Sequence, residues 1–260
     1  MSIFDRFRLD GRRLFITGGS RGLGREMAVA IAEAGADVIL VGRDLDSLEK
    51  TADDIRAFKR EASTIQADIG DPEACEDACQ QALKNHGPIH ILINNVGGRR
   101  IDIPTEDMPL ETWQQLMDLN LTSTFLCTKL IGGEMVRSGG GGRVINNASI
   151  SGLVVNRGIT GRSYETSKAA VIQFTRATAA DWAPHGVTVN AICPGGFMTE
   201  PNKRWAEENP EIINTFKSLI PAGDFGKPED LGPLAVYLAS EASRYVTGAS
   251  LVIDGGYTLW

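Results

Sequence analysis

One junction constrains this chain more than any other. A short β-prone run, Arg13–Thr17, leads directly into Thr17-Gly18-Gly19-Ser20-Arg21-Gly22-Leu23-Gly24, and a helical pattern, Gly22–Ala34, follows at once. Glycines let a backbone turn tightly and approach a ligand closely. The helix start then offers unpaired N–H groups and the positive end of its dipole, which suits a phosphate. Behind this junction the same alternation continues. Strands are predicted at Asp37–Val41, Ser63–Asp68, His90–Asn94, Arg143–Asn147, Val187–Ile192 and Ser250–Asp254. Helices are predicted at Leu45–Arg60, Pro72–His86, Leu110–Arg137 (bent near Asn120), Ser163–Ala183 and Pro228–Ser240. Such an order implies parallel strands joined by right-handed crossovers. Val38-Ile39-Leu40-Val41 is apolar without alternation, as a sheet covered on both faces requires. The expected architecture is α/β: one doubly wound (Rossmann) parallel sheet of about seven strands, with helices on both faces.

Length and charge fit this reading. The 260 residues suit one domain, 1–260, within which about 196–225 is a variable segment expected to cover a substrate. A net charge of −7 with no run of Lys and Arg sets aside duplex nucleic acid as a partner. The charged start, with Asp5, Arg6, Arg8 and Asp10 and no apolar stretch behind, predicts no signal peptide, and no run reaches membrane-spanning length. A cytoplasmic location is therefore expected. Cys75, Cys79, Cys127 and Cys193 form no C-x-x-C. Cys75 and Cys79 share a helix face and could graze a metal, but the favoured reading is free, mostly buried thiols and no metal site. Gly139–Gly142 reads as a flexible surface turn.

The spacing T-G-x-x-x-G-x-G resembles that of the short-chain dehydrogenase/reductase family, and further motifs match in order. Asn94-Asn95-Val96-Gly97 is similar to the family's N-N-A-G, with Val96 in place of Ala. Asn120 falls where the family has a helix-kinking Asn, Ser149 follows the fifth strand, and Tyr164-x-x-x-Lys168 matches the catalytic pair. Pro194-Gly195-Gly196-Phe197-Met198-Thr199 resembles P-G-x-x-x-T, and Asp254-Gly255-Gly256 resembles the C-terminal D-G-G. The resemblance covers essentially the whole chain. It implies a nicotinamide cofactor contacted by Gly18, Ser20, Arg21, Gly22, Leu23, Arg43, Asp68, Ile69, Asn95, Gly97, Tyr164, Lys168, Pro194, Gly195, Phe197 and Thr199. It also implies a catalytic set of Asn120, Ser149, Tyr164 and Lys168.

The residues refine that expectation. An acid at the end of the second strand usually binds the ribose 2′-hydroxyl of NAD. Here that position is Gly42, followed by Arg43, with Arg21 in the glycine loop. Two guanidinium groups suit a 2′-phosphate, so NADP(H) is the expected cofactor. Asp44 then reads as a cap for the next helix, and Asp68 as both an adenine contact and a cap before Pro72. A free Tyr titrates at about 10, and a nearby cation favours its phenolate. Lys168 shares a helix face with Tyr164 and supplies that cation. Ser149 would hold the substrate oxygen by a hydrogen bond. Tyr164 comes two residues later after Ser149 than the family's spacing, which leaves Ser151 as the alternative. Asn120 would hold, through its backbone, a water linking Lys168 to solvent. His86, His90 and His185 fall away from the strands' carboxyl ends and read as structural or surface residues.

The expected reaction interconverts a secondary alcohol and a carbonyl. The start Phe7–Gly11 and the end Gly255–Trp260 lean toward a sugar acid or polyol, as in gluconate 5-dehydrogenase-like members of the family. The alternatives are a 3-oxoacyl-[acyl-carrier-protein] reductase and a non-catalytic dinucleotide-binding regulator, which would not need Ser149, Tyr164 and Lys168. Arg99, Arg100, Arg157 and Arg162 are candidates for a substrate carboxylate, with Lys203 and Arg204 adding to the field. Tyr257, Leu259 and Trp260 at the end of Gly248–Trp260 suggest an interface, and the resemblance implies a homotetramer.

Overall fold

Seven parallel strands make one sheet in the computed structural model, which describes residues 2–98, 101–156, 162–208 and 210–259. They are β1 (Arg13–Thr17), β2 (Asp37–Gly42), β3 (Ala62–Gln66), β4 (Ile91–Asn94), β5 (Gly142–Asn147), β6 (Val187–Pro194) and β7 (Ser250–Ile253), in the spatial order β3-β2-β1-β4-β5-β6-β7. The order reverses between β1 and β4. Thr17 stands beside Val41 and Ile16 beside Ile93 in the register, so the loops leaving β1 and β4 open side by side at the carboxyl edge. That is where a doubly wound sheet binds ligands.

Period-two alternation divides the strands between two cores. Leu14, Ile16, Val38 and Leu40 pack with α1 (Gly22–Glu33), α2 (Leu45–Ala57) and residues of the later helix Gly232–Ala239, through Met27, Ile31, Leu48, Ile55 and Leu238. Phe15, Ile39, Val41, Leu92 and Val144 face the other side, onto α3 (Pro72–His86) and the helical stretch after β4. Asp44 caps α2, accepting from the Ser47 N–H at 3.1 Å, as the sequence predicts. Pro72 opens α3, also as predicted, but the cap is Asp71, which accepts from the Glu73 N–H at 3.0 Å. Asp68 is therefore not the cap: it lies three residues too early, and its carboxylate accepts from the Gly70 N–H instead.

The long helical stretch is bent where Asn120 predicts it. α4 (Leu110–Met117) passes into a π-turn, Asp118–Thr122, then α5 (Ser123–Cys127), a second π-turn, Thr128–Gly132, and α6 (Gly133–Ser138). Asn120 Nδ2 donates to the Leu116 carbonyl at 2.9 Å, and an amide inserted into the backbone ladder widens the turn. The second π-turn has no equally clear signal in the sequence. Gly132 there lies against the Trp182 ring, where a Cβ would come within 2.6 Å.

Gly139–Gly142 is shorter as a turn than its composition suggests. Gly139 takes the left-handed end of α6 (φ 69°), whereas Gly142 already belongs to β5 and is pressed against Met135. After α7 (Ser163–Trp182) and β6, the variable segment folds into α8 (Glu200–Glu208) and α9 (Pro210–Ser218). A 3₁₀ turn, Pro228–Leu231, precedes α10 (Gly232–Ala239). Tyr257 stacks on Phe216 of the same chain (6.0 Å, 14°), while Leu259 is left exposed. All four cysteines are free and buried, and Cys127 of α5 joins Cys75 and Cys79, which the sequence did not foretell. Among the described residues, no helix is long and apolar enough to cross a membrane.

Candidate active site

A cleft of about 1150 Å³ runs along the carboxyl edge of the sheet, from Arg43 and Asp68 at one end to Ser149, Tyr164 and Lys168 at the other. Its floor is the glycine loop, clamped to the end of β4. The Thr17 hydroxyl oxygen accepts from the N–H groups of Asn95 and Val96, both at 3.0 Å. Asn95 Nδ2 donates back to the carbonyls of Thr17 (3.0 Å) and Gly18 (3.2 Å). Gly18 turns with φ 68°, and Gly24 sits so tightly on the Gly18 carbonyl that no Cβ fits. These contacts explain why the glycine motif and the Asn-Asn motif, far apart in sequence, occur together. α1 starts without a side-chain cap, which leaves its first N–H groups to a ligand.

At one end Arg43 Nη1 lies 3.6 Å from Asp68 Oδ2, both side chains being more than half exposed. Such a pair is weak and readily exchanged for a stronger anion. The Asp44 carboxyl is held below its ordinary range chiefly by hydrogen bonds from Ser47, and the Arg21 guanidinium contributes. Arg21 and Arg43 both line the cleft beside Gly42, the last residue of β2. A Cβ on Gly42 would meet Leu48 at 3.5 Å, an ordinary contact, so packing does not forbid a side chain there.

At the other end Tyr164 is the second residue of α7, and Lys168 lies one turn later. Lys168 is 3% exposed, its Nζ donates to the Asn147 carbonyl at 2.8 Å, and it stands 5.9 Å from the centre of the Tyr164 ring. Burial depresses its pKa from 10.5 to about 8. Gly97 (φ 155°) leaves room for this ammonium: a Cβ there would come within 2.9 Å of both Lys168 Nζ and Asn120 Oδ1. Asn120 Oδ1 accepts from the Gly98 N–H at 2.8 Å, which fixes the loop after β4. Ser149 follows β5 and lines the cleft, its Oγ accepting from the Ser151 N–H at 3.1 Å. Ser151 lies outside the cleft lining, and its Oγ accepts from Asn156 Nδ2 at 2.8 Å.

Of the residues expected to hold a cofactor, Gly18, Ser20, Arg21, Leu23, Arg43, Asp68, Ile69, Asn95, Gly97, Pro194, Gly195 and Thr199 line the cleft with Tyr164 and Lys168. Gly22 and Phe197 do not. Gly22 turns toward the Thr199 side chain, and Phe197 is buried in the core because its ring packs against Gly226. The Phe197 carbonyl still serves the site, accepting from Asn202 Nδ2 at 2.7 Å. Asn120 is fully buried behind the lining. Sequence reasoning missed Asn147, whose carbonyl holds Lys168 and whose Nδ2 donates to Asn95 Oδ1 at 2.9 Å. It also missed Asn202 and Gln115. Asn202, three residues beyond Thr199 on a helical pattern, could have been found by its spacing.

The candidate substrate arginines fare differently. Arg99, Arg100 and Arg157 lie outside the described residues, as does the Arg204 side chain. Arg162 pairs with Glu165 at 3.2 Å and donates to the Asn156 carbonyl, and Lys203 pairs with Glu200 at 3.9 Å. None of the three histidines lines the cleft; His90 Nδ1 accepts from the Arg13 N–H near the opposite edge of the sheet.

A family model described as enoyl-(acyl carrier protein) reductase matches residues 18–258. The chain is 40% identical over 256 residues to galactitol 2-dehydrogenase (L-tagatose-forming) of Cereibacter sphaeroides, covering 98% of each chain. It is 36% identical over 259 residues to gluconate 5-dehydrogenase of Gluconobacter oxydans, covering 100% of this chain and 99% of that one. Its fold matches the crystal structure of a gluconate 5-dehydrogenase from Burkholderia cenocepacia in complex with NADP and tartrate, with a TM-score of 0.91, 32% identity and 100% of both chains covered.

Proposed function

The chain belongs to the short-chain dehydrogenase/reductase family, and from that premise we propose that it interconverts a secondary alcohol and a carbonyl of a sugar acid or polyol with NADP(H). One observation carries the reading: a single cleft joins Ser149, Tyr164 and Lys168 at one end to Gly42, Arg43 and Arg21 at the other. Its floor fits a dinucleotide, since the uncapped start of α1 and the clamped glycine loop present N–H groups to a pyrophosphate.

When bound, the nicotinamide supplies or accepts the hydride. The protein's own groups manage the oxygen and its proton. The Ser149 hydroxyl holds the substrate oxygen, and the Tyr164 phenol gives that oxygen a proton on reduction and takes it back on oxidation. Lys168 provides the cation that favours the phenolate, and its burial lowers its own pKa to about 8. Asn120 acts by position: it fixes Gly98, and its Oδ1 borders Gly97 as Lys168 Nζ does. Arg43 and Arg21 bind the 2′-phosphate, with Arg43 exchanging Asp68 for the ligand.

A 3-oxoacyl-[acyl-carrier-protein] reductase is the second reading; the description of the matching family model shares with it the acyl carrier protein but names reduction of an enoyl double bond. Initial rates with NADPH and NADH over sugar acids, polyols, simple ketones and 3-oxoacyl thioesters separate the two. A preference for NADPH of about 10–100-fold, the worth of one or two charge-assisted hydrogen bonds, is expected with sugar acids or polyols as the best substrates. Gly42→Asp should reverse the preference by placing a carboxylate at the ribose. Equal use of both cofactors refutes the NADP(H) assignment, and efficient turnover of 3-oxoacyl thioesters alone transfers the function to the second reading.

A further inference from the structure

Away from the cleft, Cys75 and Cys79 lie one turn apart on α3, and Cys127 ends α5 opposite them. All three are fully buried. Cys127 Sγ is 3.5 Å from Cys75 Sγ and 3.7 Å from Cys79 Sγ, and the three sulfurs lie within 4.8 Å of one another. We propose that this cluster is a binding site for a trivalent, thiophilic centre of the arsenite class, held as a neutral three-thiolate complex.

The spacing fits three sulfurs around one atom. With metal–sulfur bonds of about 2.3 Å, three ligands in a plane stand about 4 Å apart, and closer when the centre is pyramidal. The choice of centre follows from charge. The cluster belongs to an apolar core that includes Ile65, Ile69, Leu126 and Ile131. Three thiolates around a divalent ion leave one negative charge and around a monovalent ion two; buried without a partner, each costs several kcal/mol. A trivalent centre leaves none.

The exchange balances without an oxidant. Three arsenic–oxygen bonds of arsenous acid break and three arsenic–sulfur bonds form. Each thiol proton leaves with a hydroxide as water, and arsenic and sulfur keep their oxidation states. Entry requires α3 and α5 to part, so binding is expected to be slow on the folded protein and fast during refolding.

The test is native mass spectrometry on the protein incubated anaerobically with sodium arsenite, both folded and refolded from urea in its presence. A one-to-one adduct is expected, with a mass gain of one arsenic less three hydrogens. Cys127→Ser and, as a second variant against misfolding, Cys79→Ala should weaken it at least 100-fold, with circular dichroism checking the fold. Cys193→Ser should bind as the unmutated protein does, and cadmium chloride should compete poorly. The proposal is overturned by the absence of an adduct after both incubations or by loss of only two hydrogens. Undiminished binding in folded Cys127→Ser, dependence on Cys193, or tighter binding of cadmium than of arsenite would also overturn it.

Discussion

At the glycine-loop end of the cleft the backbone approaches so closely that no side chain fits at Gly18 or Gly24, with Thr17 and Asn95 clamping it from behind, whereas at the Ser149–Tyr164 end and the rim beyond it the cleft is lined by side chains. Gly18, Gly24 and Gly97 are each boxed in by Asn95, by a carbonyl, or by Asn120 and Lys168. On the rim, a Cβ on Gly98 would meet nothing within 4 Å among the described residues, Lys203 pairs with Glu200, and Arg162 is taken up by Glu165. A site held by close backbone approach has few alternatives, because an added methyl group overlaps a neighbour. A site held by side chains can change ligand by changing rotamer or residue. In the function proposed above, the first end holds the cofactor and the second chooses the substrate.

The comparison is sharpest where chemistry rests on one side chain. Tyr164→Phe should cut turnover about 10²–10⁴-fold while leaving NADPH affinity, measured by fluorescence titration, nearly unchanged. Near-normal turnover would remove Tyr164 from the mechanism. Lys168 tests the cost of burying a charge at that end. Its pKa falls from 10.5 to about 8, so between those values the unfolded chain binds more protons than the folded one, and stability should rise with pH across that window. The penalty is complete below pH 8, amounts to about 3 kcal/mol, and is gone above 10.5. Urea denaturation of unliganded protein should show this rise, and Lys168→Met should flatten it; identical slopes in both would mean that the ammonium stays hydrated.

The backbone-built end is probed by Gly24→Ala. The new methyl group overlaps the Gly18 carbonyl, so a loss of about 1–3 kcal/mol in denaturation and a weaker hold on cofactor are expected together. Loss of stability with cofactor affinity intact would show that the floor does not act as a unit. The smallest effect belongs to Ser151→Ala, which removes the Asn156 bond at a cost of about 1 kcal/mol and should leave turnover near normal. Ser149→Ala should lower turnover about 10²–10³-fold. The reverse ranking would make Ser151 the residue that holds substrate.

Seven strands, their parallel direction and the place of the cleft were legible in the sequence, because strand and helix periods and the glycine loop are local properties. Asp44 was readable as a cap for the same reason: its partner Ser47 is three residues away. Asp71 took the capping role expected of Asp68 because a cap must stand directly before the first turn, a difference of three residues that periodicity does not resolve. Ser149 and Ser151 stood equally near in sequence, and the 3₁₀ turn Ile150–Gly152 puts Ser149 in the cleft lining while the Ser151 hydroxyl accepts from Asn156. Phe197 left the cleft for the core, and Asn147 entered it through its carbonyl, because backbone orientation follows from tertiary packing rather than residue type. The cysteine cluster shows the same division. The sequence placed Cys75 and Cys79 on one face of one helix, since four residues make about one turn. Only the packing of α5 against α3 brought Cys127, 48 residues further along, to within 3.7 Å of Cys79, because contact between separate helices depends on how their apolar faces fill space together.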